Sequence, residues 1–204
     1  MTLTIWISLF LVSLLGAMSP GPSLATVAKH TLSGKRINGI AAAWAHSIGI
    51  GFYAFITVIG LAVVLQQSPV LFKGISYLGA AYLAYLGFGA LRSTGGIAAK
   101  LESGEQVTIV ESAKEGLLIS LLNPKIALFF LALFSQFVAE GNEPLDKAII
   151  VITPIVVDGL WYTIISCLLS APRIVDKLRS KAKWIDRLSG VVLILLAMRV
   201  VFYS

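Results

Sequence analysis

Charge is scarce in this chain, and thiols are scarcer. Of 204 residues only 13% are Asp, Glu, Lys or Arg, about half the share of a soluble domain. The one cysteine, Cys167, sits in an apolar run. A lone thiol forms no internal disulfide and excludes a two-thiol electron carrier. Without partner ligands it holds no metal, and it reads as a small core hydrophobe. The sequence has no Gly-x-Ser-x-Gly, no His-Glu-x-x-His and no Cys/His cluster, so the patterns of a nucleophile elbow or a zinc hydrolase are missing. No cofactor and no metal is expected.

Apolar residues are what the chain has in excess. They make up 57% of it, and the mean hydropathy is +0.90. That is more than one aqueous core can bury, and the length leaves no room for a second soluble domain. A membrane helix needs about 20 mostly apolar residues. Six runs qualify: residues 3–28, 37–65, 70–91, 116–138, 148–171 and 185–203. The fold expected is therefore all-α and polytopic, with six spans. The first run carries no charge and is too long for the core of a signal peptide, with no Lys or Arg before it, so it is expected to be a retained helix. Only Gln66-Gln67-Ser68-Pro69 separates the second run from the third, which predicts a tight helical hairpin.

The formal charge is +6. A basic balance can signal nucleic acid, but here the cations sit in short loops between apolar runs. Loops one, three and five carry eleven Lys and Arg residues, against Lys73 and Lys147 on the other side. This asymmetry predicts odd loops in the cytoplasm, both termini outside and a lipid bilayer, not a nucleic acid, as the partner. The segment 92–114 contains Gly95, Gly96 and Gly104 and reads as a cytoplasmic linker between two three-helix units, residues 1–91 and 115–204. In loop five Ile174, Leu178, Ala182 and Ile185 recur at helical spacing among basic residues. They form either a surface-lying amphipathic helix or a solvated basic turn.

Three helices per unit force the second unit to enter the membrane from the opposite side, so the two units read as inverted repeats. Each has a proline break in its first helix: Ser19-Pro20-Gly21-Pro22 in one, Asn123-Pro124-Lys125 in the other. At about 1.5 Å per residue, both breaks lie roughly 12 Å into a hydrocarbon core about 30 Å thick. Proline removes a donor and frees a carbonyl. In lipid a freed carbonyl must find a partner or line a wet cavity. Paired breaks at one depth are thus places to hold a polar solute, as in secondary transporters; a single proline would more simply be a packing kink.

Ionisable groups inside spans are costly and mark function. Asp158 lies about 11 residues into the fifth run, while Lys125 and His46 each lie about 10 residues into theirs. All three fall in the layer of the breaks, and a Lys125–Asp158 ion pair would lower the cost of burying both. The alternatives are a purely structural ion pair and a hydrogen-bonded core histidine. Arg199 near the end of the last run can snorkel. Ala43, Ser47 and Gly51 form a small-residue stripe for close helix packing, within a protomer or between two protomers of a homodimer.

Taken together, Ser19-Pro20-Gly21-Pro22, Gly34-Lys35-Arg36, Asn123-Pro124-Lys125 and the Tyr77-Leu78-Gly79-Ala80-Ala81-Tyr82-Leu83 stretch with Gly87 resemble the LysE-type amino-acid exporters. These are the lysine-exporter and homoserine/threonine-resistance group of bacterial inner-membrane carriers. The resemblance implies efflux of an amino acid or derivative, driven by protons or another coupling ion, without covalent chemistry. Carried over by motif, it implies substrate-binding roles for Pro20, Gly21, Pro22, Asn123, Pro124 and Lys125. His46 and Asp158 join them from the burial argument, Asp158 also matching an acidic position in the family's fifth helix. The competing readings are a channel, a non-transporting membrane scaffold, or an intramembrane hydrolase built from Ser47 or His46 with Asp158. A channel lines its pore with rings of polar groups, whereas this chain has one narrow polar layer.

Overall fold

The computed structural model describes residues 1–19, 21–92, 107–134, 137–138 and 143–170, with short stretches between 183 and 202. Pro20, Gly95, Gly96, Gly104, Ile174, Leu178, Ala182, Ile185 and Arg199 lie outside these residues. The described elements are helical: α1 (Leu3–Met18), α2 (Pro22–Ser33), α3 (Arg36–Gln67), α4 (Pro69–Arg92), α5 (Ile109–Leu121), α6 (Pro124–Phe129) and α7 (Pro144–Leu169). Every described position from 183 to 202 is helical as well.

Each expected break and turn has a local cause. α1 stops at Met18, α2 starts at Pro22, and the axes differ by 63°. Proline suits the first turn of α2, where its missing N–H is not needed. One residue, Ser68, separates α3 from α4, and its Oγ accepts the Leu71 N–H at 3.3 Å, so the hairpin is as tight as its sequence requires. The run 116–138 divides at Asn123: its Oδ1 accepts the Lys125 N–H at 3.1 Å and caps α6, with Pro124 at the first helical position. α6 then widens into a π-helical turn, Phe130–Phe134. The Leu121 carbonyl freed by this break accepts the Tyr53 hydroxyl at 2.6 Å. α5 begins at Ile109, inside the segment read as a linker, because Thr108 and Glu111 form a capping box.

α3 is the central helix and packs along α5 and α7. Close approach is set by glycine: a Cβ on Gly116 would run into the Ala42 carbonyl, and one on Gly159 would stand 2.9 Å from the Trp44 ring and 3.0 Å from Ser47 Oγ. The small-residue stripe of α3 thus packs within the protomer, Gly51 against Ile155. α4 meets the last helical stretch backbone to backbone, a Cβ on Gly190 lying 2.6 Å from the Gly87 carbonyl oxygen.

The outer surface is apolar. Leu3, Ile48, Phe55, Leu78, Tyr85, Leu160 and Phe202 are all exposed, while His30, His46, Asn123, Asp158 and Ser166 are buried. This arrangement suits hydrocarbon on the outside and polar groups within. Cys167 is exposed, which corrects its reading as a core residue: a lipid-facing helix surface is as apolar as a core, so composition does not tell them apart. The helices over Arg36–Gly60 and Pro144–Leu169 are long and apolar enough to cross a membrane, and α1 with α2 passes the same test as a bent pair.

Candidate functional site

The two helix breaks meet. Lys125 Nζ donates to the Ser19 carbonyl at 3.0 Å and to Ser19 Oγ at 2.7 Å. A Cβ on Gly21 would stand 3.4 Å from the same ammonium, so the cation lies directly against the first break. Asn123 Nδ2 reaches Ser23 Oγ, in the first turn of α2, at 3.4 Å. The expected partner of Lys125 was Asp158, and this is corrected: no Lys125–Asp158 ion pair occurs among the described residues. Asp158 is turned toward α3. Its Oδ2 faces His46 Nδ1 at 2.8 Å and accepts from Ser47 Oγ at 3.0 Å. Ser47 has one hydroxyl proton, and the Ala43 carbonyl competes for it at 3.0 Å.

Between these groups lies a cavity of about 40 Å³, room for a few waters at roughly 10–15 Å³ each. Gly21, His46, Asn123, Lys125 and Asp158 line it, joined by Ser13, Ser19, Ser23, Pro154 and Tyr162. Phe129 and Phe130 close it on the α6 side. Of the residues singled out in the sequence, five therefore share one space. Pro22 and Pro124 serve as first residues of α2 and α6. Pro20 is not described.

Two contributors escaped the sequence reading. Ser19 receives Lys125, and its signal was its place directly before the proline pair. Tyr162 stands one turn beyond Asp158, on the same face of α7, and meets the His46 ring edge-on with centroids 5.4 Å apart. Ser47, read as a packing residue and as a partner of Asp158 only in the competing hydrolase, does touch Asp158. A hydroxyl in a small-residue stripe fits both roles.

A second polar cluster lies where α2 ends and α5 begins. Lys29 Nζ donates to both Glu115 carboxylate oxygens at 3.0 and 2.8 Å, and His30 Nε2 lies 2.9 Å from Oε2. Ser112 Oγ is 3.0 Å from His30 Nδ1 and takes a further contact from Asn38 Nδ2 at 3.2 Å.

Among known proteins, the LysE type translocator family matches residues 14–204. An uncharacterized membrane protein of Haemophilus influenzae is 32% identical over 91% of this chain and 90% of its own. The threonine efflux protein of Escherichia coli K12 is 27% identical over 93% of this chain and 94% of its own. A leucine efflux protein of Salmonella choleraesuis is 35% identical over 58% of this chain and 56% of its own. No solved structure matches.

Proposed function

Because the chain belongs to the LysE type translocator family, we propose that it exports an amino acid or a close zwitterionic derivative across the bacterial inner membrane in exchange for protons. The observation that carries this reading is the pair of opposite charges on the walls of one cavity, Lys125 on one side and Asp158 on the other. An amino acid presents a carboxylate and an ammonium, and each finds a counter-charge here. At the Lys125 end the carboxylate also meets the N-terminus of α2, whose free N–H groups and dipole favour an anion. At the Asp158 end the ammonium meets a carboxylate backed by His46 and Ser47. Relatives named for threonine and leucine efflux agree with this substrate class.

In this reading the chain crosses the membrane six times as two inverted three-helix repeats, with both termini outside. The Lys29–Glu115 end of the bundle then faces the cytoplasm. A cavity of about 40 Å³ is too small for an amino acid, so the structure corresponds to a closed form and the walls must part to load it. The hinges of this motion are the two breaks, where α1 gives way to α2 and α5 to α6.

The test is counterflow in proteoliposomes with labelled L-threonine and L-leucine. A carrier accumulates label against unlabelled substrate on the other side; downhill leakage alone would make it a channel and overturn the proposal. Lys125→Gln should weaken binding of the free amino acid by about tenfold or more, the worth of a charged hydrogen bond. It should leave binding of the amino-acid amide nearly unchanged. Equal losses for both would remove Lys125 from the carboxylate end.

A further inference from the structure

His46 is the buried group that substrate binding does not fully explain. Its ring lines the cavity and is buried. Nδ1 faces Asp158 Oδ2 at 2.8 Å, and a carboxylate can only accept, so that nitrogen carries the proton. Nε2 then holds a lone pair. It is buried and has no hydrogen-bond partner among the described residues. Native structures rarely leave a buried acceptor unmatched, and each such atom calls for an explanation. Here it is a basic nitrogen in a cavity wall, one imidazole away from the carboxylate proposed to hold the substrate ammonium.

We infer that His46 Nε2 is the proton-loading site of the exchange, and that proton and substrate exclude one another through Asp158. This rests on the proposed amino-acid export and assigns its coupling step to an atom. With Nε2 unprotonated, Asp158 keeps its negative charge for the substrate ammonium. When Nε2 takes a proton from outside water, the imidazolium neutralises Asp158 across the Nδ1–H bond and the ammonium loses its counter-ion. The substrate leaves outward; the proton travels inward on His46 and is released to the cytoplasm when the next substrate claims Asp158. One proton enters for each zwitterion exported, so each cycle moves one positive charge inward. The other titratable groups on this cavity are Asp158 and Tyr162 from α7 and Lys125 from α6; α1 and α2 contribute only Ser13, Ser19 and Ser23 among its polar side chains. Imidazole is the side chain suited to exchange a proton near neutral pH.

The test uses the full chain in proteoliposomes, with L-threonine and L-leucine as probes and an internal pH dye. His46→Asn keeps an N–H toward Asp158 and deletes Nε2. In this variant the proton flux per substrate exchanged should fall by about tenfold or more, the usual scale of coupling between two sites. A wild-type ratio of proton flux to substrate flux in His46→Asn overturns the inference. Failure of the wild type to show counterflow with any amino acid sinks the export reading instead, so the two failures are distinct. Should the variant fail to fold or to exchange substrate, ¹⁵N-histidine NMR of the wild type, which has two histidines, gives the answer. The His46 Nε2 signal should protonate as pH falls and revert on adding substrate at fixed pH. A signal that ignores substrate overturns the inference.

Discussion

Two histidine–carboxylate pairs join the halves of this chain, and they differ in how completely their partners are satisfied. His46 and Asp158 lie beside the cavity, with side chains 2% and 7% exposed. His30 and Glu115 lie at the end of the bundle, at 0% and 42%. In the outer pair both ring nitrogens have partners, Glu115 and Ser112, and Lys29 supplies Glu115 with a second cation. In the inner pair Nε2 has none among the described residues. The same two kinds of side chain thus make a closed lock in one place and an open acceptor in the other. Burial does not tell the two histidines apart; the count of satisfied nitrogens does.

The sharpest way to break this comparison is Asp158→Asn. The substrate ammonium loses its charged partner, worth about 1.5–3 kcal/mol, so proton-driven efflux should fall by roughly tenfold to a hundredfold at wild-type expression. Efflux measured with and without an uncoupler checks it. Substrate-for-substrate exchange should fall as well, since the ammonium loses its anion. Unchanged efflux would reduce Asp158 to a structural partner of His46. The outer pair should respond in the other currency. Glu115→Gln should cost about 1 kcal/mol, discounted for its exposure, and lower the melting temperature by about 2–4 °C. Counterflow should stay close to wild type, and loss of transport at an unchanged melting temperature would erase the distinction.

The smallest effect is an acid one. Burial pushes the Glu115 carboxyl up, but the hydrogen bonds and charges of Lys29 and His30 outweigh it and hold it below its ordinary 4.5. A depressed carboxyl stabilises the fold above that value and loses its contribution as pH falls through the folded one. Wild type should therefore lose part of its melting temperature below about pH 4.5, and Glu115→Gln should lose less over the same range.

What was legible in the sequence was whatever acts locally. Proline breaks a helix where it stands, so the interruptions at Ser19–Pro22 and at Asn123–Lys125 were readable, as was the hairpin at Ser68. That Lys125, His46 and Asp158 share one layer also followed from counting along each helix, and all three line one cavity. Their pairing did not. Residues at one depth still differ in direction around the helix axis, and that direction depends on packing between helices far apart in sequence. Lys125 turns to the α1–α2 break and Asp158 to α3. Close glycine contacts such as Gly159 against Trp44 and Ser47 fix the second of these, and no single-sequence pattern announces such a contact. The start of α5 was legible and missed: Thr108 and Glu111 have capping-box spacing, but hydropathy marks where a helix becomes apolar, not where it begins.

The 63° bend at the first break also makes α2 a lever. Lys29 stands seven residues beyond Pro22, roughly 10 Å along the axis. A rotation of about 15° at the break would carry its end through roughly 2.6 Å. The Lys29–Glu115 contact is 2.8 Å long, so a swing of this size directed along it would nearly double it. Near the fulcrum, Ser23 moves only a fraction of an ångström by the same geometry. By this geometry a slight rotation at the break is multiplied along α2, while the Lys125–Ser19 contact beside the pivot is barely disturbed.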